Sequence, residues 1–297
     1  MKQEKEFTES IPQEAYDLYD DYAHNRIGRR EFVQHLSVYA VGGLTVASML
    51  EKLLPDYTRS VQISPQDPGI RSEYVEYQSP KGGGTIKALL CVPAGLSTPT
   101  GGVLVVHENR GLNPYIEDVA RRVAAAGYAA LAPDALSPLG GYPGNDDEGR
   151  TLQAKRDRMD MLEDFKAGHT YLTQRNECHG KAGVVGFCFG GWIANMMAVQ
   201  VSDLACAVPY YGGQPPLDQV QHIACPLQLH YAGLDTRVNE GWPAYEEALK
   251  KHVKKYTAFL YENVNHGFHN DSTSRFDPAA AALAWERTLA FFSEYIK

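Results

Sequence analysis

From residue 73 onward, short apolar runs of strand length alternate with longer segments whose apolar positions recur every three or four residues. "EYVEYQ" at 73–78 alternates polar and apolar, and "TIKALLCVP" follows a Lys81–Gly84 turn as its hairpin partner. "GGVLVVHE" is apolar along nearly its whole length, as expected of a strand covered on both faces. "NPYIEDVARRVAAAGY" places Ile116, Val119, Ala120 and Val123 on one helical face, and "AALAPD" is the next strand. The second half repeats the rhythm. "KAGVVGF" is a strand and "GGWIANMMAVQ" a helix; "LACAVPYYGG" and "PLQLHYAGLD" are strands, "WPAYEEALKKH" a helix, and "YTAFLYENVNH" a strand with its loop. "DPAAAALAWERTLAFFSEYI" closes the chain as a helix, with Asp277 as its cap and Pro278 in its first turn. The alternation predicts an α/β fold with a mostly parallel central sheet and helices on both faces. Such sheets carry their working residues in loops beyond the carboxyl ends of the strands.

Two stretches depart from that rhythm. Residues 135–149 form a long irregular segment holding Pro138 and Pro143, read as a lid or pocket wall, with helix resuming near Arg150 and running to about Thr173. Residues 11–54 read as helical up to Pro55, which divides the chain into an N-terminal helical arm or signal-like segment (1–58) and an α/β domain (59–297). Within the arm, Arg29-Arg30-Glu31-Phe32-Val33 precedes a weakly apolar stretch from Val38 to Leu50, a pattern similar to a twin-arginine export signal. No A-x-A cleavage site follows, and the first residues are rich in Asp and Glu. An amphipathic arm packed on the domain or on a second subunit explains the same apolar stripe.

Composition narrows the partners. A net charge of −8 argues against nucleic acid, since phosphate binding needs a basic surface. No uninterrupted apolar run reaches membrane-spanning length. Cys91, Cys178, Cys188, Cys206 and Cys225 are odd in number and unpaired by CxxC spacing, which predicts neither a disulfide framework nor a zinc site. A reducing compartment, hence the cytoplasm, follows; the export reading would place the chain in the periplasm instead.

The glycine spacing singles out one of these thiols. In "GVVGFCFGGW", Cys188 lies between Gly186 and Gly190 where a strand gives way to a helix, the place serine takes in a G-x-S-x-G nucleophile elbow. The glycines permit close strand–helix approach, and the helix N-terminus favours thiolate over thiol. An elbow needs an acid after a later strand and a histidine near the chain end. Asp235, in the Gly-Leu-Asp turn after "PLQLHYA", and His266, after "YTAFLYENVN", stand in that order. His266 then takes the thiol proton and later activates water, while Asp235 orients the imidazole. Taken singly, Asp235 reads equally as a helix cap and His266 as a loop histidine.

"HENRGLNPYIEDVARRVAAAGYAALAPD", "GFCFGG", "GLD" and "NHGFH" followed by "AAALAWERTLAFF" resemble the dienelactone hydrolase family of α/β-hydrolases, over roughly residues 70–297. The resemblance implies the α/β-hydrolase fold and a triad of Cys188, His266 and Asp235. It also implies that Glu108 contacts the thiol and helps generate thiolate when substrate binds. The oxyanion hole would be the backbone N–H groups of Phe189 and Asn109. Family members carry an arginine four residues after the catalytic histidine to hold a substrate carboxylate; here that residue is Asn270, which supplies no charge. Arg110, Tyr142 and Asn270 are the candidate substrate contacts, and Arg150 and Arg156 are further sources of positive charge.

The expected activity is hydrolysis of a small-molecule lactone or carboxylic ester through an acyl-thioenzyme, without cofactor or metal. The histidines do not fall at ligand spacing along a helix. An acyltransferase or thioesterase on the same triad, or a binding protein that keeps only the fold, is the alternative. A homo-oligomer would form through the arm.

Overall fold

The computed structural model describes residues 11–41, 44–58 and 61–297. Two residues of the Val38–Leu50 stretch, and the start of the α/β domain as drawn from sequence, lie outside the described residues.

Among the described residues eight strands form one sheet: β1 (Ile70–Ser79), β2 (Gly84–Pro93), β3 (Thr100–Val106), β4 (Ala129–Pro133), β5 (Cys178–Phe187), β6 (Ala207–Tyr210), β7 (Leu227–Ala232) and β8 (Tyr256–Tyr261). Their order is β1-β2-β4-β3-β5-β6-β7-β8. β2 runs antiparallel to β1 and β4, and every other neighbouring pair is parallel. The hairpin closes where Ser79 faces Gly84, whose φ of 80° suits glycine. β4 is buried at every position, and β3 at all but its first, because helices cover both faces.

On one face lie α6 (Arg158–Thr173), α7 (Phe189–Gln200) and α9 (Trp242–Lys251), which bury Leu162, Phe165, Ile193, Met197, Tyr245 and Leu249. On the other lie α4 (Pro114–Ala125) and α10 (Pro278–Tyr295), contributing Ile116, Val119, Val123, Ala284 and Phe292. This is the α/β-hydrolase fold. Asp277 caps α10 as expected, its side chain accepting from the Ala280 N–H at 2.8 Å.

Segment boundaries differ where capping residues intervene. The single helix expected from Arg150 to Thr173 is two, α5 (Asp146–Gln153) and α6, because Asn145 and Asp157 each cap a new helix. The irregular segment after Ala135 is correspondingly shorter. Among its described residues the arm has three α-helices, α1 (Gln13–Ala23), α2 (Arg29–Leu36) and α3 (Val46–Leu53). It breaks after α1, where Asn25 takes a φ of 59°. Tyr19, Tyr22, Phe32, Leu36, Met49 and Leu53 pack a small core of their own, with the Tyr22 and Phe32 rings stacked at 4.6 Å. No helix among the described residues is long and apolar enough to cross a membrane.

Gly186, near the end of β5, tests the packing around the elbow. A Cβ there would sit 1.9 Å from the Gly190 carbonyl oxygen, a backbone atom that no side-chain rotation can move. Gly186→Ala is therefore expected to destabilise the fold by about 3 kcal/mol or more, read as a lower urea midpoint at unchanged slope.

Candidate active site

Three loops at the carboxyl ends of β5, β7 and β8 bring the sequence-predicted triad together. Cys188 joins β5 to α7 with φ 57° and ψ −111°, a strained conformation for a residue bearing a Cβ. The turn is possible because Gly190 lets the helix approach β3: a Cβ on Gly190 would lie 2.4 Å from the Val106 carbonyl oxygen. Phe189 opens α7, so its N–H lies in the first turn, where helices have no internal acceptor.

Asp235 follows β7 and His266 follows β8. The His266 Nδ1 lies 2.5 Å from Asp235 Oδ2. The other Asp235 oxygen accepts from the Val238 N–H at 3.2 Å, capping α8 (Thr236–Asn239). Asp235 is thus a helix cap and the partner of the histidine at once, two readings that the sequence left as alternatives. Burial works to raise its carboxyl, but His266, through charge and hydrogen bond, holds it below the usual carboxylate range. The buried His266 Nε2 has no hydrogen-bond partner among the described residues, and a ring nitrogen of His266 lies within 4.8 Å of the Cys188 sulfur.

The thiol's hydrogen-bond partner comes from the arm. His24, just beyond α1, places Nε2 3.2 Å from Cys188 Sγ. Its Nδ1 lies 2.7 Å from the Asp20 carbonyl oxygen and 3.2 Å from the Asp20 carboxylate. Asp20 in turn pairs with Arg237 at 3.2 Å and Arg275 at 3.6 Å. Burial opposes ionisation of Asp20, yet His266, His24 and Arg237 hold its carboxyl well below the ordinary range. The last carbonyls of α1, which a helix leaves without internal partners, are taken by the domain: Arg150 donates to Tyr22 and the Asn109 side chain to Ala23. The arm is docked across the site through its own helix terminus.

A cavity of about 320 Å³ opens over the thiol. Cys188, Phe189, Asn109, Tyr211 and His266 line it together with His24, Arg150, Arg156, Arg158 and Arg237. Three of these guanidinium groups have acidic partners: Arg150 near Asp147 at 3.9 Å, Arg156 on Asp164 at 2.6 Å, and Arg237 on Asp20. Arg158 stacks over the Trp192 ring at 3.9 Å and has no carboxylate partner among the described residues.

The structure places none of the candidate substrate contacts in the lining of this cavity. Arg110 is buried, paired with Asp146 at 2.8 Å and bonded to the Tyr19 hydroxyl of the arm at 2.9 Å. Tyr142 donates to the same Asp146 at 3.0 Å, as does Tyr57 at 2.9 Å. These residues fasten the arm and the 135–149 segment to the domain. Asn270 donates its side-chain N–H to Glu108 Oε2 at 2.8 Å, so Glu108 is a buried carboxylate held by an amide at the edge of the site.

Sequence reasoning missed His24, Asp20, Arg158 and Arg237. Arg237 stands two residues after Asp235 and was within reach of the motif. His24 and Asp20 sit on a helix distant in sequence, and no spacing rule connects them to the elbow. The ligand atoms of His24, Cys188 and His266 all fall within 4.8 Å of one another, a donor set suited to a soft divalent ion. Arg237 Nη2, 3.3 Å from ring nitrogens of both histidines, sets a positive charge against such an ion.

Comparison with known proteins bears on the family and the fold. Residues 86–296 match the model of the Dienelactone hydrolase family, and residues 2–41 match a YqhI-like model. A hydrolase fragment of Escherichia coli (strain K12), YghX, is 56% identical over 114 residues, spanning 38% of this chain and 97% of its own. A Synechocystis protein named for carboxymethylenebutenolidase activity is 30% identical over 212 residues, spanning 66% of this chain and 86% of its own. Among solved structures, the dienelactone hydrolase-like promiscuous phosphotriesterase P91 from metagenomic libraries superposes with a TM-score of 0.67 at 23% identity. That match covers 77% of this chain and all of P91, and at this identity it speaks for the fold.

Proposed function

The chain belongs to the dienelactone hydrolase family of lactone and ester hydrolases, and on that premise we propose that it cleaves a small acidic lactone or ester through an acyl-thioenzyme on Cys188. The observation that carries this reading is the strained Cys188 beside the His266–Asp235 pair, with a ring nitrogen of His266 within 4.8 Å of the sulfur. The sulfur attacks the carbonyl carbon as its proton passes to an imidazole, which later gives it to the departing alkoxide, and the oxygen that becomes negative is received by the N–H groups of Phe189 and Asn109. The C–O bond breaks, leaving the acyl group on sulfur. Water, deprotonated by an imidazole, attacks the thioester and releases the acid. Asp235 keeps the His266 proton on Nδ1, so that Nε2 is the basic nitrogen.

The acidic character of the substrate follows from charge. Four guanidinium groups line the cavity, and Arg158 is the one among the described residues without a carboxylate of its own. A substrate carboxylate is its natural partner. Arg158→Ala is expected to raise KM for a carboxylate-bearing ester about tenfold, leaving kcat and the KM of a neutral ester nearly unchanged. Steady-state kinetics on a matched pair of esters measures this.

A panel of small lactones and esters, assayed with and without methanol or a thiol as competing acceptor, tests the reaction class. The free acid should be the product throughout. Transfer of the acyl group to the acceptor as the main outcome would move the assignment to acyltransferase. A thiol nucleophile that must remain reduced suits the cytoplasm.

A further inference from the structure

Cys188 has two imidazoles beside it, and the one bonded to the sulfur is not the one the family resemblance predicts. His24 Nε2 stands 3.2 Å from Sγ, while the His266 Nε2 has no partner among the described residues. His24 is built as a general base would be. Its Nδ1 faces the Asp20 carbonyl oxygen at 2.7 Å, which fixes the N–H there and turns the Nε2 lone pair toward the thiol. Asp20 does for His24 what Asp235 does for His266, and its own position is set by Arg237 and Arg275. Glu108, the group expected to assist the thiol, is instead held by Asn270.

We propose that His24, delivered by the N-terminal arm, is a second catalytic histidine that takes the Cys188 proton during acylation and leaves His266 to activate water in deacylation. This rests on the acyl-thioenzyme reading above. The proton balance closes. The S–H proton passes to His24 Nε2 as sulfur bonds to the carbonyl carbon, and His24 returns it to the departing alkoxide as the C–O bond breaks. Water then gives a proton to His266 Nε2 while its oxygen attacks the thioester. The C–S bond breaks, and the His266 proton restores the thiol. The sum is ester plus water to acid plus alcohol.

The surroundings favour the imidazolium that His24 becomes once it has taken the thiol proton. Burial disfavours its charge, but Cys188 and Asp20 outweigh burial and push it up to about 8. The other charged and titratable groups facing it are Arg237, at 3.3 Å from Nε2, and the His266 ring, edge-on at 5.1 Å.

The test is pre-steady-state hydrolysis of p-nitrophenyl acetate by the full chain, with the iodoacetamide alkylation rate of Cys188 at pH 7 as a second readout. His24→Gln is expected to slow the p-nitrophenol burst about 100-fold and to slow alkylation, leaving the deacylation rate unchanged. His266→Ala is expected to keep the burst and slow deacylation. Added imidazole should restore the burst in His24→Ala, which a merely structural histidine would not allow. A burst unchanged or faster in His24→Gln would overturn the proposal and make the arm a spectator or an inhibitory cap. A slow burst without imidazole rescue would also overturn it, in favour of a structural role. If His24→Gln fails to fold, His24→Asn takes its place. A burst that persists in Cys188→Ala would instead sink the acyl-thioenzyme reading itself.

Discussion

Cys188→Ala is expected to lower kcat/KM by at least about 10⁴-fold while the fold survives. The activity loss is large because the acyl intermediate has no other place to form: the remaining cysteines, Cys91, Cys178, Cys206 and Cys225, are buried and do not line the cavity. The stability change is small because alanine keeps a Cβ at the same φ of 57° and loses only one sulfur at a cavity edge. A shift within about 1 kcal/mol is the expected outcome in urea melts. Activity and stability therefore separate at this position, whereas at Gly186 they fall together.

Asp235→Asn should cost about 10³- to 10⁴-fold in kcat with little change in KM. The asparagine retains an oxygen to cap the Val238 N–H, so α8 keeps its start. What changes is the group facing His266 Nδ1, where a carboxylate at 2.5 Å becomes an amide. If the amide presents N–H, the imidazole proton moves to Nε2 and the ring loses the basic nitrogen that activates water. Asp235→Ala removes the cap as well, and should add a loss of about 1 kcal/mol in stability. Circular dichroism melts beside kinetics on the two variants separate the catalytic function from the structural one.

The fold was legible because its strands and helices obey different hydrophobic periods and the parallel strands are nearly all apolar. The elbow was legible for a related reason: glycines at 186 and 190 mark positions where backbone approaches backbone, and such positions tolerate no side chain. The order of Cys188, Asp235 and His266 followed from where the strands end. The substrate contacts were not legible. Asn270 was singled out by its place in the family pattern, Arg110 by its charge and Tyr142 by its aromatic ring in the long loop, but partner choice is decided in three dimensions. Asp146, Tyr19 and Glu108 claim those side chains. The arm shows the same limit more sharply. Its helices could be read, and its apolar stripe recognised, but nothing in periodicity says that the residue just past α1 meets a sulfur 164 positions later.

The acyl-thioenzyme is tested most directly by mixing the protein with an excess of a small activated ester, quenching in acid at millisecond intervals and mapping any adduct by peptide mass spectrometry. The account predicts an acyl mass on the peptide carrying Cys188, formed during the burst, decaying in step with turnover and accumulating in His266→Ala. Turnover with Cys188 unmodified at every time, or with the acyl group on another residue, would contradict it.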